Sequence, residues 1–345
     1  GATSAGIGGQ TYMRILVICH YFAPEPGAPS ARWLEMTRYW VKAGHEVTVV
    51  TCFPNHPIGK IPETYRGKLW ARETLDGVEI LRNWVFATPN EGVLKKTISH
   101  ISFMISSVLF SLRRSGSVDV VVVSSPTFFS MFSGYVFSRL KRVPLVVEVR
   151  DLWPAAIVEL GVLRNRFLIR ILEAMELFMY RAAHHVVVVT ESFREDLVRR
   201  GIPADKITVI TNGVDLVQYS DGPKDPLAEQ ELGCEGKKLV LYIGAHGISQ
   251  GLETVLEAAN ILRSRRDIVF GFVGEGAAKA ALQERARELK LENVVFLPAQ
   301  PKERMPLFYR TCDVGLVPLR KIPLFKAFVP SKMFEIMGCA RPVVA

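Results

Sequence analysis

Short apolar runs alternate with stretches of helical periodicity along most of this chain. Runs at 15–19, 46–51, 78–83, 118–124, 145–149, 185–189 and 207–210 read as buried strands. The stretches between them, such as 30–42 and 167–182, space their apolar residues as helices do. From 221 to 237 the composition shifts to Gly, Pro and acidic residues with little periodicity. A second series then begins, with strands at 238–243, 268–273, 294–297 and 314–318 and helices at 252–264, 277–289 and 302–311. Such alternation predicts parallel sheets covered by helices, an α/β class with two doubly wound domains in series. The expected division is 13–215 for the first domain, 216–237 for a linker region and 238–345 for the second. Ligands of such sheets bind outside the carboxyl ends of the strands, so a cleft between two facing domains is the expected site.

At 345 residues the chain is long enough for two cores. The stretch 1–12 is small and polar, without the basic and apolar regions of a signal peptide. It reads as a tag or as sequence upstream of a natural start at Met13. Cys19, Cys52, Cys234, Cys312 and Cys339 are scattered and form no C-x-x-C pair. That favours a reducing compartment over a disulfide framework or a zinc site.

The net charge of +9 suggests an anionic partner, and no nucleic-acid-binding motif is present. Residues 97–112 carry no charge and lie between Lys95-Lys96 and Arg113-Arg114. As a helix this stretch is roughly 24 Å long, short of the roughly 30 Å hydrocarbon core of a bilayer. It is expected to lie at a membrane interface or to be a buried helix of the first domain. Arg139, Lys141, Arg142, Arg164, Arg166 and Arg170 add basic charge in the same half, which favours a peripheral anionic membrane surface.

Five segments carry candidate chemistry. His20 to Ala28 is a Pro/Gly loop after the first strand, and Gly27 lets the backbone approach a phosphate. Glu148-Val149-Arg150-Asp151 closes the fifth strand with three charges at the ligand-binding edge. Either Asp151 caps a helix and Arg150 pairs with Glu148, or the group is functional. Gly244, His246, Gly247 and Gln250 belong to a Gly-rich loop suited to a diphosphate, with His246 a phosphate donor or an exposed loop histidine. Gly274 and Gly276 make a tight turn before the next helix. Last, Ser331 is a good N-cap, and Lys332 then sits against the positive end of the helix dipole. An anion held there removes the conflict. Glu335 follows about 5 Å along the axis, within reach of ribose hydroxyls. The alternative is an ordinary Lys and Glu on an amphipathic helix. No metal-ligand spacing is present, so no metal is implied.

In this order the segments resemble glycosyltransferase family 4, the retaining sugar-nucleotide transferases of the GT-B fold, and within it the exopolysaccharide and O-antigen type, including colanic-acid and N-acetylfucosaminyl transferases. The residues that carry the resemblance are His20-Tyr21-Phe22, Pro24-Glu25, Gly27-Ala28, Arg150-Asp151-Leu152-Trp153-Pro154, Asn212-Gly213-Val214-Asp215, Gln250-Gly251-Leu252 and Pro330-Ser331-Lys332 with Glu335. The family's diphosphate-binding Arg and Lys are replaced by Ala245 and Gln250, and the first glutamate of its E-x7-E pair by Ala327. Lys332, and His246 with the loop amides, are the candidates for the diphosphate role.

The resemblance implies two facing Rossmann-like domains, acceptor-binding first and nucleotide-sugar-binding second. It also implies that the second domain is cut short at Ala345. The expected activity is a hexosyltransferase, EC 2.4, in cell-surface polysaccharide synthesis. It would move a sugar with retention from a nucleoside diphosphate sugar, as substrate and with no other cofactor, to a polyprenyl-diphosphate-linked or other saccharide. Lys332, Arg150 and Asp151 are the expected catalytic residues. Gly27, Gly244, His246, Gly247, Gln250, Gly274, Ser331 and Glu335 are expected to line the donor with Lys332. The expected location is cytoplasmic, on the inner face of the membrane. Two rivals stand beside this reading, a sugar-nucleotide epimerase of the same fold and a non-catalytic membrane-associated protein.

Overall fold

The computed structural model describes residues 12–345 apart from 26, 57, 90, 91, 126, 160 and 162. The expectation for 1–12 therefore lies outside the described residues, Tyr12 excepted. The chain divides into two compact units, the first ending at Ile210 and the second beginning at Thr211.

The first unit is built on β1 (Arg14–Ile18), β2 (Glu46–Cys52), β3 (Trp70–Leu75), β4 (Val78–Asn83), β5 (Val120–Ser125), β6 (Leu145–Val149), β7 (His185–Val188) and β8 (Ile207–Val209). These strands form one sheet in the order β3-β4-β2-β1-β5-β6-β7-β8. Every neighbouring pair is parallel except β3 with β4. The β-branched residues that fill the central strands suit a pleated surface buried on both faces, and Val17, Val49, Val123 and Val147 are inaccessible to solvent. The edge strand β3 escapes the apolar pattern. Its sequence Trp-Ala-Arg-Glu-Thr-Leu buries no residue, so no hydrophobic run marks it. The helices are α1 (Ala28–Lys42), α2 (Val93–Ser111), α3 (Phe128–Lys141), α4 (Ala155–Glu159), α5 (Arg166–Ala182) and α6 (Glu191–Arg199).

The second unit contains α7 (Pro226–Leu232), β9 (Lys238–Ile243), α8 (Glu253–Ile261), β10 (Ile268–Val273), α9 (Lys279–Glu288), β11 (Val294–Leu297), α10 (Met305–Thr311), β12 (Val314–Leu316), α11 (Ser331–Gly338) and β13 (Val343–Val344). Its parallel sheet runs β11-β10-β9-β12-β13. In both units the crossovers of parallel strands bring all parallel carboxyl ends to one edge, where the candidate loops lie.

The stretch 216–237 differs from the linker expected there. Within it α7 packs Ala228 and Leu232 into the core of the second unit, with Cys234, Leu239, Leu241 and Phe308. Its short length hid the helical period, but both ends carry signals. The Asp225 carboxylate accepts the Ala228 N–H at 2.9 Å, and Gly233 closes the helix at φ 58°. Residues 211–215 also side with the second unit, where the Asn212 amide donates to the Val329 carbonyl at 3.3 Å. Asp225→Ala removes the cap and is expected to lower stability by about 1 kcal/mol, read as a shifted denaturation midpoint at constant slope.

Candidate active site

In the second unit, Lys332 is the centre of the arrangement. Helix α11 begins at Ser331, with Pro330 (φ −63°, ψ 138°) in the N-cap position and no side-chain cap. Ser331 is thus not the N-cap expected from the sequence. Proline, lacking an N–H and fixed in φ, takes the position before the first turn and moves Ser331 into the helix. The first turn carries no acidic side chain, so its amides and the cation of Lys332 lie together.

The Lys332 ammonium lies 4.3 Å from the centre of the Tyr242 ring and donates to the Tyr242 hydroxyl at 3.2 Å. The Tyr242 hydroxyl in turn donates to the Ala245 carbonyl at 2.7 Å. Desolvation lowers the Lys332 pKa to about 8, against a smaller upward pull from Glu335. Among the described residues no carboxylate forms an ion pair with it. Gly244 makes room for this group. A Cβ there would stand 2.4 Å from the Lys332 nitrogen. Tyr242 was not expected as a functional residue. It lies near the end of β9, two positions before Gly244, which follows the strand, and its ring and hydroxyl reach the Lys332 ammonium beside Gly244.

The other glycines have a structural reason that the sequence did not show. Gly274 (φ 146°) passes so close to β9 that a Cβ would fall 1.9 Å from the Gly244 carbonyl oxygen. Gly276 (φ 157°) is crowded in the same way by the His246 backbone, at 2.4 Å. The loops after β9 and β10 are locked together by Gly244 N–H to Val273 O at 2.9 Å and His246 N–H to Glu275 O at 2.8 Å. The Lys279 ammonium closes this layer on the carbonyls of Gly274 and Leu297. Gly274 therefore serves the packing of the loops, whatever its backbone presents to a ligand.

His246 is a correction to the expectation of a phosphate donor or an exposed loop residue. Its side chain is fully buried, beside the rings of Tyr242, Phe272 and Phe296. Burial lowers its pKa to about 4, helped by the charge of Lys279. A neutral, enclosed imidazole does not present a proton to a phosphate. Gln250 sits in a single 3-10 turn, Ile248–Gln250, with its side-chain oxygen buried against Gly247. Glu335, one turn along α11, interacts with the buried hydroxyl of Tyr309, a contact that helps raise that tyrosine's pKa after desolvation.

In the first unit, β1, β5 and β6 are neighbours, and a small pocket lies where they end. His20, Tyr21, Ser124, Thr127 and Arg150 are among its walls. Arg150 does not pair with Glu148 as one reading expected. Glu148 is engaged by Arg32, and by the Ser124 hydroxyl at 3.0 Å. The Arg150 Nε and the His20 Nδ1 are buried with no hydrogen-bond partner among the described residues. Helix α4 starts only at Ala155, so Asp151 does not cap it. Asp151 is partly buried, and desolvation raises its pKa against the pull of Arg150. The His20 ring stacks on His100 at 4.1 Å, and burial lowers both pKa values, that of His100 to about 4. Gly27 (φ 115°) holds the N-cap position of α1, exposed and with open space at its Cβ side except for Pro29. No group of three or more His, Cys, Asp or Glu side chains suited to a metal is found among the described residues.

A family model described as "Glycosyl transferase 4-like domain" matches residues 27–213, and one described as "Glycosyl transferases group 1" matches 224–345. The chain belongs to the glycosyltransferase 4-like family. It is an EC 2.4 transferase of the exopolysaccharide and O-antigen type, which sets aside the epimerase and non-catalytic readings. It is 26% identical over 334 residues to WcaI of Escherichia coli (strain K12), named for colanic acid biosynthesis, covering 94% of this chain and 81% of that protein. It is 25% identical over 250 residues to the glycosyltransferase WbjE of Pseudomonas aeruginosa, covering 71% of this chain but only 60% of WbjE. Among solved structures it is similar to sucrose-phosphate synthase of Thermosynechococcus elongatus, with TM-score 0.72, 16% identity and coverage of 96% and 80%. It is also similar to HepE of Anabaena in complex with UDP-glucose, with TM-score 0.66, 17% identity and coverage of 97% and 80%. At these identities the likeness shows the fold, GT-B with two parallel-sheet domains.

The glycine contacts make a sharp test. Gly274→Ala drives a Cβ into a backbone oxygen that has no side chain to move, and is expected to cost about 3 kcal/mol or more. Gly213→Ala, where nothing lies within 4 Å, is expected to change stability by less than about 0.5 kcal/mol. Chemical denaturation of both variants reads the difference.

Proposed function

We propose that the protein is a retaining glycosyltransferase that uses a nucleoside diphosphate sugar. The observation that carries this reading is the desolvated Lys332 ammonium, seated by Tyr242 and Gly244 at the uncapped start of α11. A partly buried, desolvated cation that forms no ion pair among the described residues and a helix N-terminus both favour a diphosphate. The UDP complexes of HepE support a nucleotide-sugar donor in this fold. Ser331 and the first-turn amides of α11 complete the phosphate contacts, with the backbone at Gly244, Gly247 and Gln250. Glu335, held by Tyr309, takes the ribose.

In the reaction, the bond between the anomeric carbon and the diphosphate oxygen breaks, and the pair of electrons leaves with the diphosphate. Lys332 and the α11 amides stabilise that growing charge. The acceptor hydroxyl bonds to the anomeric carbon on the face the diphosphate leaves, and its proton passes to the departing phosphate oxygen. Asp151 orients the acceptor hydroxyl. Arg150, with its free Nε, binds a phosphate of the acceptor. That contact supports a polyprenyl-diphosphate-linked saccharide as acceptor. Gly27 at the start of α1 adds a backbone contact to phosphate. Reaction on such an acceptor places the protein on the inner face of the cytoplasmic membrane, against its anionic surface.

Lys332→Ala is expected to weaken UDP binding about 10- to 100-fold, the worth of a charge-assisted contact of about 1.5–3 kcal/mol. Calorimetric titration that finds unchanged affinity defeats the phosphate assignment. Gly244→Ala is expected to act in the same direction, because it evicts the ammonium from its seat.

The pH dependence has a definite sign. UDP favours charged Lys332, so binding raises its pKa above the free value of about 8. Affinity is therefore expected to be level from neutral pH to about 8 and to fall as pH rises further, by up to about tenfold per unit. Lys332→Ala removes that decline. For the reaction, a panel of sugar nucleotides is offered with a polyprenyl-linked saccharide. Released nucleotide measures turnover, and the anomeric configuration of the product by NMR is expected to match the donor. An inverted product overturns the retaining mechanism.

A further inference from the structure

Helix α2 (Val93–Ser111) is amphipathic in the wrong sense for a soluble domain. The side it turns to the sheet and to α3 carries serines. Ser99, Ser106, Ser107 and Ser111 are buried. Three of these hydroxyls have partners across the packing, Ser106 on the Trp84 carbonyl at 2.6 Å, Ser107 on Ser133 at 2.9 Å and Ser111 on Asn83 at 2.8 Å. The side it turns to water carries aliphatic residues. Leu94 is 73% exposed, Ile98 44%, Ile105 50% and Leu109 69%. At 100° per residue these four fall within about 60° of one another, so they form a single stripe along the helix. These polar contacts, together with the fully buried Phe103, keep this orientation, and the outward stripe is left to meet something apolar.

We infer that this stripe is a membrane-seating surface, with α2 lying in the plane of an anionic bilayer. Three observations select lipid over another occupant. No helix of the described residues is long and apolar enough to cross a membrane, so a lipid contact of α2 is in-plane. The stripe has basic residues at both ends, Lys95 and Lys96 at one and Arg113 and Arg114 at the other, and no acidic residue within the helix. Those charges complement anionic headgroups, whereas a second copy of α2 laid on the stripe sets like charges against each other. Finally, aromatic rings border the helix. Trp84 and Phe86 are about two-fifths exposed and hydrogen-bonded to α2 through Ser106 and Ser102. Arg114 lies 4.1 Å over the partly exposed ring of Trp70. Tryptophan beside arginine suits the boundary between headgroup and acyl chain.

This surface gives physical content to the membrane partner proposed above, yet it stands apart from the donor site, which lies in the other unit. The test uses the full chain with large vesicles of phosphatidylcholine alone or with phosphatidylglycerol. Binding is expected to the mixed vesicles and to decline with salt. The double variant Ile105→Asp, Leu109→Asp changes exposed positions only, so its circular dichroism and melting should match the parent. Its vesicle partitioning should fall by roughly tenfold or more. Lys95→Glu with Arg113→Glu should abolish the preference for phosphatidylglycerol. UDP affinity should be unchanged in both double variants, so loss of vesicle binding is separable from failure of the transferase reading. The inference is overturned if the parent chain ignores the mixed vesicles, or if the Asp variant binds them as well as the parent does. It is equally overturned if sedimentation shows a dimer that the Asp variant dissolves while vesicle binding is absent.

Discussion

The candidate site of the second unit is built around one costly arrangement, the desolvation of the partly buried Lys332 ammonium. A cation taken from water without a carboxylate loses hydration that must be replaced or left as a strain on its protonation. The Tyr242 ring and hydroxyl replace part of it, and the remainder appears as a pKa lowered to about 8. Nothing larger than glycine at 244 leaves space for the group. Gly244 is held in turn by the loop after β10, and that loop approaches only because Gly274 also lacks a Cβ. A chain of steric permissions therefore runs from a backbone crossing to a poised cation.

The first unit solves a related problem at its own strand ends. Three charges meet at the end of β6, and burial does not allow all of them to remain unpaired. Glu148 is neutralised by Arg32 from α1, reinforced by Ser124. That pairing leaves the Arg150 Nε, like the His20 Nδ1, without a partner among the described residues, and both residues line the same small pocket. The structural role is thus carried by one charge of the trio, and Arg150 and Asp151 are left for the role proposed for them. The histidines beside it are kept neutral by enclosure, which limits the repulsion between them and Arg150.

Much of the framework is legible because parallel strands buried on both faces produce unbroken apolar runs. The bounds of β4, β6, β9, β10 and β11 follow from the sequence without adjustment. The elements that do not fit are those outside that rule. The edge strand β3 buries nothing, and α7 is shorter than two full turns. The candidate loops were legible too, since glycine, proline and charge collect at the strand ends where regular structure stops. Their individual roles were not. A glycine needed for a ligand and a glycine needed for another loop look alike in a sequence. His246 looked like a loop donor, but lies under the loops with its ring against Phe272 and Phe296.

The sequence by itself determined the fold class and the family, and it drew attention to the segment around Lys332. These rest on local patterns, the period of apolar residues and the spacing of a few polar ones, which survive without knowledge of contacts. Only the tertiary structure decided which way α2 faces, that Glu148 pairs with Arg32 rather than Arg150, and that Tyr242 seats Lys332. In each case the partners are far apart in the chain, 116 residues for Arg32 and Glu148 and 90 for Tyr242 and Lys332. The physical reason is that burial and pairing are properties of positions in space. A uniform run of serine, isoleucine and leucine can turn either side inward until the groups it meets there are fixed.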